Sequence, residues 1–282
     1  MTRAVQSRRA TLFVGALALE GLGAALGSGA DLACIDLEDA VPPGRKAEAR
    51  SALLHAAGQV VVPQGVQLVT RINALTEPDG WEDLRALTDG APAVGGVMLP
   101  KVDDPNELRE AGEFLDAAQR EVDLYAIIET AQGLEACCRI AQAHPRLKAL
   151  FFGGFDLSTA LGCEMAWEPL LYARSRVVHA GALAGLPVID SPFPDVADTV
   201  GLQADCARVK ALGMSGKSAK HASQVATIRQ AFTPTPAEQA RARAILAMFE
   251  ADPTRPLVYE GKLVELPSIK RLQRLAGADA KW

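Results

Sequence analysis

Short apolar runs alternate along the chain with longer stretches that have helical patterning, and no polar linker interrupts the series. The predicted strands are residues 12–17, 32–37, 66–72, 94–99, 124–129, 149–156, 186–189 and 214–219. Runs of this kind are typical of parallel strands that are buried on both faces. Eight alternations favour an α/β fold of the (β/α)8 TIM barrel type over an open doubly wound sheet.

The repeating pattern ends after residue 232, where the sequence reads Thr-Pro-Thr-Pro. We therefore expect residues 1–232 to form the barrel and residues 233–282 to form a C-terminal helical extension. The extension contains a predicted helix at 238–250, a turn at Glu260-Gly261 and a last basic helix. Because a bare barrel does not need this segment, we expect it to cap a barrel end or to contact a neighbouring subunit.

Composition excludes several classes of protein. The net charge of −5 and the absence of a Lys/Arg run argue against a nucleic-acid partner. No apolar stretch approaches the roughly 20 residues that a membrane span needs. A basic N-terminus precedes an apolar run, but that run leads into Glu20 without a signal cleavage site, so we expect a cytoplasmic protein. The five cysteines form no C-x-x-C motif, which favours buried free thiols over a metal or redox site.

Two neighbouring strands of the predicted barrel each end in a carboxylate. Glu129 closes Tyr-Ala-Ile-Ile-Glu, and Asp156 closes Leu-Phe-Phe-Gly-Gly-Phe-Asp. An α/β barrel carries its chemistry at the carboxyl ends of its strands, so both side chains are expected at one site. Carboxylates at strand ends also commonly cap the next helix. As a pair, with no His or Cys cluster that would select a softer ion, they predict a Mg²⁺ site.

The second strand ends in three acidic residues, Asp36, Glu38 and Asp39. Alternation along a strand predicts Asp36 and Glu38 on one face and Asp39 on the other. Because such a cluster is self-repelling, its members should be solvated, paired with bases or close to a cation. The next predicted helix offers ordinary basic partners, namely Arg45, Lys46 and Arg50.

Two basic residues also lie at predicted strand ends. Arg71 ends an otherwise apolar strand, where its planar fork would suit a substrate carboxylate, or an ion pair with Asp36 or Glu38. Lys101 follows Met-Leu-Pro, and a Schiff-base role would need a depressed pKa. Asp103 and Asp104 would instead raise that pKa, so we interpret Lys101 as a salt-bridging or positioning residue. Among the four histidines, only His221 is expected near the barrel mouth.

Six motifs run in order through the chain: Asp-Leu-Glu-Asp-Ala-Val (36–41), Arg-Ile-Asn (71–73), Met-Leu-Pro-Lys (98–101), Ile-Ile-Glu-Thr-Ala-Gln-Gly (127–133), Phe-Gly-Gly-Phe-Asp-Leu (152–157) and Leu-Tyr-Ala-Arg (171–174). This ordered set resembles the citrate lyase β-subunit-like family of the HpcH/HpaI aldolase group, which includes malyl-CoA and citramalyl-CoA lyases. The resemblance runs from about residue 9 to residue 266.

The resemblance implies a Mg²⁺-dependent (β/α)8 barrel enzyme, often a homotrimer, that is a carbon–carbon lyase. Its expected substrate is a malyl-, citramalyl- or citryl-type acyl thioester, possibly of coenzyme A, cleaved to a 2-oxo acid and an acyl enolate. Glu129 and Asp156 match the family's metal ligands, and Arg71 matches its arginine for the substrate carboxylate. We count Arg71, Glu129 and Asp156 as substrate-binding residues, and Arg71, Asp36, Glu38 and Glu265 as catalytic candidates.

The sequence departs from the family pattern at three places. The family's Val-Pro-Gly near the N-terminus reads Val-Gly15-Ala16, and Ala24 replaces a lysine, which argues against a coenzyme A phosphate contact there. The tail motif Gly-x-Met-Ile-Asp-x-Pro reads Gly-Lys-Leu-Val-Glu265-Leu-Pro, and in relatives that Asp acts from a neighbouring subunit. The motif Gly-Lys-x-x-Ile-His-Pro-x-Gln reads Gly-Lys-Ser-Ala-Lys-His221-Ala-Ser-Gln.

Three other functions stay open at the level of sequence. The first is a hydrolase that uses the same metal and Glu265 to activate water on an acyl thioester. The second is a non-catalytic member that binds oxo acids or a partner protein. The third is an aldolase of free 2-oxo acids, which is less favoured because no His stands near Asp36 or Arg71.

Overall fold

A computed structural model describes residues 7–252 and 257–277 of the chain. The chain divides into two compact units, one ending at Phe232 and the other beginning at Thr233. In the first unit, eight parallel strands form a closed barrel in sequence order, and β8 pairs with β1 to complete it. The strands are β1 (Ala10–Gly15), β2 (Leu32–Asp36), β3 (Gln67–Arg71), β4 (Gly96–Leu99), β5 (Asp123–Ile128), β6 (Leu147–Phe152), β7 (Val188–Asp190) and β8 (Gly216–Ala219). The predicted (β/α)8 fold is confirmed.

Helices connect successive strands, as right-handed crossovers between parallel strands require. They are α1 (Leu22–Gly27), α2 (Lys46–Gln59), α3 (Pro78–Gly90), α4 (Pro105–Ala117), α5 (Ala131–Ile140), α6 (Gly154–Leu161), α7 (Trp167–Ala184), α8 (Thr199–Leu212) and α9 (Ala222–Phe232). Their starts are encoded locally. A capping box of Asp104 and Glu107 opens α4, and the Thr130 hydroxyl accepts a hydrogen bond from the Gly133 N–H at the start of α5.

Two helices lie between β6 and β7, where the sequence pattern predicted one. The missed helix is α6, which has eight residues and directly follows β6. Its first residues, Gly154 and Phe155, continue the apolar run of the strand, so periodicity did not separate helix from strand. As a consequence Asp156 lies in the first turn of α6 rather than at the end of a strand.

Side-chain alternation along the strands divides the core into two layers. Tyr125 and Ile127 of β5 belong to a small cluster with buried residues of other strands, whereas Leu124, Ala126 and Ile128 belong to the larger cluster that includes the helices. Both faces of the strand are therefore buried, which explains why the run is continuously apolar. The first set lies inside the barrel, and continuing its alternation places Glu129 on the same inward side.

The second unit is built from α10 (Pro236–Ala251), the antiparallel strands β9 (Leu257–Tyr259) and β10 (Lys262–Val264), and α11 (Ser268–Ala276). Glu260 and Gly261 both have positive φ, 50° and 75°, and form the predicted turn between the strands. Periodicity did not predict the strands themselves, since each has only three residues. That this unit caps a barrel end or a neighbouring subunit stays a prediction.

Two smaller expectations concern cysteines and membranes. All five cysteines are free. Cys34, Cys137 and Cys206 are buried, as predicted, whereas Cys138 and Cys163 are only partly buried. Across the described ranges no helix combines the length and apolar character that crossing a bilayer requires.

A buried ion cluster holds the ends of β7 and β8 against the helices. The Lys217 ammonium lies 2.6 Å from Asp190 Oδ2 and 2.6 Å from Asp205 Oδ2, and Arg174 Nε donates to Asp190 Oδ1 at 3.1 Å. Burial alone would lower the pKa of Lys217, but the two carboxylates outweigh it and raise that pKa. Lys217 therefore stays charged in the core.

Replacement of Lys217 by Met should lower the free energy of unfolding by about 3 kcal/mol, since it removes the cation that Asp190 and Asp205 share and leaves Asp190 with Arg174 alone. Urea unfolding would measure the loss. Lys148→Met is the matched control, because its ammonium contacts only the exposed carbonyl of Pro145 and its loss should cost no more than about 0.5 kcal/mol. Equal stability of the two variants would contradict a stabilising role for the cluster.

Candidate active site at the carboxyl ends of the strands

A pocket of about 440 Å³ lies at the carboxyl ends of the barrel strands. Its apolar wall includes Phe13, Ile127, Phe151, Phe152 and Phe155. Its polar lining consists of Asp36, Asp39, Arg71, Glu129, Asp156, Ser191, Ser218 and Lys220. A mainly apolar cavity with a few convergent polar groups is the usual form of a small-molecule site.

Glu129 directly follows β5 and is 3% exposed. Its Oε1 accepts a hydrogen bond from the Lys101 N–H at 2.8 Å, and Lys101 adopts a left-handed backbone with φ of 50°. Gly153 leaves the space that the carboxylate occupies, because a Cβ at that position would lie 2.4 Å from Glu129 Oε2. Burial, followed by the negative charges of Asp156 and Glu38, raises the pKa of Glu129 to about 8.

Asp156 lines the same pocket from the first turn of α6. The predicted pair is therefore brought together, although by a strand end and a helix start. Within the described ranges no group of three or more His, Cys, Asp or Glu residues is arranged to hold a metal. A cation here would take two protein carboxylates and complete its shell with water or substrate oxygens, which is the donor set that Mg²⁺ accepts. After burial, the charges of Asp156 and Glu38 raise the Glu129 pKa, and a divalent cation would relieve that repulsion.

Arg71 is held by the acidic cluster that follows β2. Its Nε and Nη2 donate to the two oxygens of Asp36 at 2.8 and 2.6 Å, and its Nη1 lies 2.8 Å from Glu38 Oε2 and 3.2 Å from Asp39 Oδ2. Asp36, Asp39 and Arg71 all line the pocket. The ion pair that the sequence offered as an alternative, with Asp36 or Glu38, is present with both carboxylates, and it lies at the pocket.

The prediction that Asp39 faces away from Asp36 is wrong. Strand β2 ends at Asp36, so the alternation of the strand does not extend to Asp39. Burial would raise the pKa of Asp39, but the charges of Arg71 and Lys101 outweigh it and lower that pKa. Glu38 lies deeper, and burial raises its pKa despite the same two cations.

The basic residues of α2 and of the turn before it form no ion pair with this acidic cluster among the described residues. Arg45 pairs with Glu48, and Lys46 Nζ donates to the backbone carbonyls of Leu37 and Glu38. Arg50 instead binds acidic residues at the start of α3, namely Asp79, Glu82 and Asp83.

Lys101 forms a salt bridge with Glu38, which confirms its predicted role. Burial opposes its charge, but the hydrogen bond to Glu38 and the charges of Glu38 and Asp39 raise the pKa of Lys101 to about 12. A Schiff-base lysine needs a depressed pKa, so the salt bridge and the raised pKa both argue against that role for Lys101. The expected influence of Asp103 and Asp104 is not what raises it: Asp103 accepts from the Thr130 hydroxyl, and Asp104 caps α4.

Of two further predicted residues, His221 does not line the pocket and Glu265 belongs to the second unit. His221 is exposed, and its Nδ1 lies 2.9 Å from the Ser223 hydroxyl. Glu265 is an exposed residue of the second unit, and its carbonyl accepts from the Ser268 N–H. Its action on a neighbouring subunit stays a prediction.

Sequence reasoning missed three polar residues of the pocket: Ser191, Ser218 and Lys220. Ser218 lies in β8, and Lys220 follows that strand directly. The polar residues of this strand were the available signal for these positions, because small polar residues at the carboxyl end of a barrel strand are typical of the active-site mouth rather than of the core. Ser191 follows β7 by one residue, at the position equivalent to Glu129 after β5.

A closed parallel barrel whose strand ends gather paired carboxylates and an arginine around a pocket has the architecture of a (β/α)8 barrel enzyme. The sequence profile of one family, HpcH/HpaI aldolase/citrate lyase, matches residues 9–222. The chain belongs to this family. The membership confirms the predicted family and the predicted class of enzyme, a carbon–carbon lyase.

Similar proteins cover nearly the whole chain. An L-malyl-CoA/β-methylmalyl-CoA lyase of Rhodobacter capsulatus is 32% identical over 87% of this chain and 86% of its own. A citrate lyase subunit β-like protein of Deinococcus radiodurans is 33% identical over 90% of each chain. The crystal structure of CitE from Mycobacterium tuberculosis, in complex with magnesium, acetoacetate and coenzyme A, is 29% identical, has a TM-score of 0.79 and covers 96% of this chain and 98% of its own.

Substitution of Arg71 by Met should destabilise the protein by about 3 kcal/mol, because two buried carboxylates lose their shared cation. A double-mutant cycle with Asp36→Asn tests the coupling. The double variant should lose clearly less stability than the sum of the two single losses. Arg45→Met serves as the control, since its ion pair is exposed. Additive losses in urea unfolding would show that Arg71 and Asp36 are not energetically coupled.

Proposed function

We propose that the protein is a Mg²⁺-dependent lyase that cleaves a malyl-, citramalyl- or citryl-type acyl thioester to a 2-oxo acid and an acyl thioester. The observation that carries the proposal is the convergence of Glu129, Asp156 and Arg71 on one pocket. It is supported by similar proteins that are named malyl-CoA lyases and by a CitE structure that contains magnesium, acetoacetate and coenzyme A.

Glu129 and Asp156 are the residues that would hold the ion. When bound, Mg²⁺ supplies Lewis-acid stabilisation of negative charge that develops on substrate oxygens. The protein prepares this position in two ways. The Lys101 N–H fixes one oxygen of Glu129, and Gly153 provides room for the other. Because both contacts are made by backbone, the carboxylate is oriented before the substrate arrives.

Arg71 is proposed to bind the carboxylate next to the hydroxyl-bearing carbon. Asp36 occupies Nε and one N–H of Nη2, so the second N–H of Nη2 is the donor directed to the substrate. The Asp36 oxygens also accept from the N–H groups of Glu38 and Ala40, which leaves Asp36 poorly placed to take a proton. We therefore propose that Asp36 and Glu38 position Arg71 and Lys101 rather than act as bases.

In the reaction, a base accepts the proton of the substrate hydroxyl, and the carbon that carried the hydroxyl becomes the carbonyl carbon of the 2-oxo acid. The carbon–carbon bond breaks, and its electron pair goes to the α-carbon of the acyl thioester as an enolate. A proton then converts the enolate to the acyl thioester, so atoms and charge balance. The aromatic side chains of Phe13, Phe151, Phe152 and Phe155 line the same pocket and would limit the access of water to the reacting atoms.

Glu265 is proposed to provide the proton from a neighbouring subunit of a homo-oligomer. The support is its place in the tail motif, in an exposed turn after the β9–β10 hairpin. This arrangement would also give the second unit its role, since that unit would complete the pocket of another copy.

Glu129→Gln should abolish function while it preserves size and fold. We expect Mg²⁺ binding by calorimetry to be lost and kcat/KM for thioester cleavage to fall about a thousandfold or more. Turnover of L-malyl-CoA, citramalyl-CoA and citryl-CoA would be followed by the 2-oxo acid and by the acyl thioester. Glu135→Gln, with a side chain that is 81% exposed on α5, is the matched control and should behave as the parent.

Other outcomes would replace the proposal. Release of free thiol without a 2-oxo acid would identify a hydrolase. Binding of Mg²⁺ and oxo acids without turnover on the whole thioester panel would identify a non-catalytic member. Cleavage of the free hydroxy acid alone would identify an aldolase that uses no thioester. Unchanged turnover in Glu129→Gln would contradict the assignment of Glu129 as a metal ligand.

Mixing two inactive variants tests the contribution of a second subunit. Glu129→Gln and Glu265→Gln should each be inactive alone, whereas copies unfolded and refolded together should regain part of the parental activity. Activity returns because a mixed oligomer contains some pockets with both native residues. Sedimentation of the parent gives the subunit number. Inactivity of the refolded mixture, in oligomers shown to be mixed, would contradict action between subunits.

A further inference from the structure

Lys220 places a positive charge on the pocket wall formed by the loop after β8. Its Nζ lies 4.6 Å from the centre of the Phe155 ring, and Phe155 precedes Asp156 in the first turn of α6. No carboxylate pairs with Lys220 anywhere in residues 7–252 and 257–277. The aromatic face orients the ammonium without neutralising it, so its charge remains available to a ligand.

Ser191 brings an unused hydroxyl to the same wall. The residue is 2% exposed, lines the pocket, and its Oγ has no hydrogen-bond partner among the described residues. The hydroxyl lies beside the start of α6, since a Cβ built on Gly154 would be 2.9 Å from it. Buried hydroxyl groups are nearly always bonded, and one left free beside a pocket is a donor for a ligand.

The loops that carry these two residues are tied to each other. Gln224, which is 2% exposed, accepts from the Lys220 N–H at 2.9 Å and donates to the Phe193 carbonyl at 3.1 Å. Phe193 lies two residues after Ser191. On the other side, Asp190 is fixed by the buried charges of Lys217 and Arg174. The backbone at Lys220 and the loop that follows Ser191 are therefore linked to each other before any ligand binds.

The two cations of the pocket are in different electrostatic settings. Arg71 lies within 3.2 Å of three carboxylates, which compensate its charge. Lys220 has no such compensation within the part of the chain that the structure describes. On the wall after β7 and β8 the pocket therefore has a cation without an ion-pair partner among the described residues, whereas the carboxylate of Asp156 lines the adjoining wall at α6.

We propose that Ser191 and Lys220 form a second anion subsite, which binds a charged group of the substrate other than the carboxylate assigned to Arg71. The inference rests on the proposed function. The depth of Ser191 and its closeness to Gly154 favour a second carboxylate of the acid over a phosphate of the carrier. Of the three proposed thioester types, only the citryl type has a second free carboxylate, so the subsite selects that type and its product, a dicarboxylic oxo acid.

The test compares two oxo acids of matched shape. Oxaloacetate has a carboxylate where 2-oxobutyrate has a methyl group. Binding of each, freshly dissolved and with Mg²⁺ present, would be measured by calorimetry on Lys220→Met, Lys220→Arg, Ser191→Ala and the control Lys148→Met. Lys148 lies near the start of β6 and is not among the residues that line the pocket.

Loss of the charged partner should weaken oxaloacetate binding to Lys220→Met about tenfold or more, and 2-oxobutyrate binding less than about twofold. Ser191→Ala should weaken the binding of oxaloacetate severalfold. Lys220→Arg and Lys148→Met should keep the parental preference for oxaloacetate over 2-oxobutyrate. Equal weakening of both acids, or of neither, would overturn a carboxylate subsite. Failure of the parent to bind either acid with Mg²⁺ would overturn the proposed function and the subsite together.

A second pair of ligands identifies the source of the anion. Acetyl-CoA carries phosphates that S-acetyl-N-acetylcysteamine lacks. Unchanged acetyl-CoA binding in Lys220→Met, together with weakened oxaloacetate, assigns the subsite to the acid. If Lys220→Met bound acetyl-CoA more weakly but bound oxaloacetate and S-acetyl-N-acetylcysteamine as the parent does, the anion subsite would belong to the carrier phosphate. That result would overturn the selection of citryl-type substrates.

Discussion

Burial of carboxylates at the carboxyl ends of parallel strands is the constraint on which the rest of this site depends. The same alternation that directs Tyr125 and Ile127 into the barrel directs Glu129 to its mouth. A buried carboxylate is costly unless a cation or hydrogen-bond donors compensate it. The raised pKa of Glu129, caused by burial and then by the charge of Asp156, shows that this compensation is incomplete in the protein alone. A divalent cation would complete it.

Two walls of the pocket meet this constraint differently. Around β2 and β3, three carboxylates share Arg71 and Lys101, which produces a nearly balanced and rigid network. Around β7 and β8, the buried charges of Asp190 and Lys217 compensate each other behind the wall, while Ser191 and Lys220 face the pocket. Rigid support behind one wall and unpaired groups on its surface are what a substrate-discriminating site requires.

Backbone geometry is as important here as side-chain chemistry. Glu129 reaches its position because Gly153 has no Cβ and because Lys101 accepts a left-handed backbone that directs its N–H to the carboxylate. Any side chain at position 153 would collide with Glu129. Gly153 therefore leaves room for Glu129 after the neighbouring strand, and Gly154 begins α6 beside Ser191.

By itself the sequence determined the barrel and the convergence of Glu129 and Asp156 on one pocket, because strand-end residues of a parallel barrel must converge. It offered the ion pair of Arg71 with Asp36 or Glu38 only as an alternative to a substrate contact, and it predicted a division after residue 232 from the prolines that end the repeat. Only the tertiary structure decided where Asp39 points, that α6 exists and that Ser191 and Lys220 share a wall. Those outcomes depend on contacts between residues far apart in the chain, such as Gln224 with Phe193, and no local periodicity encodes such contacts.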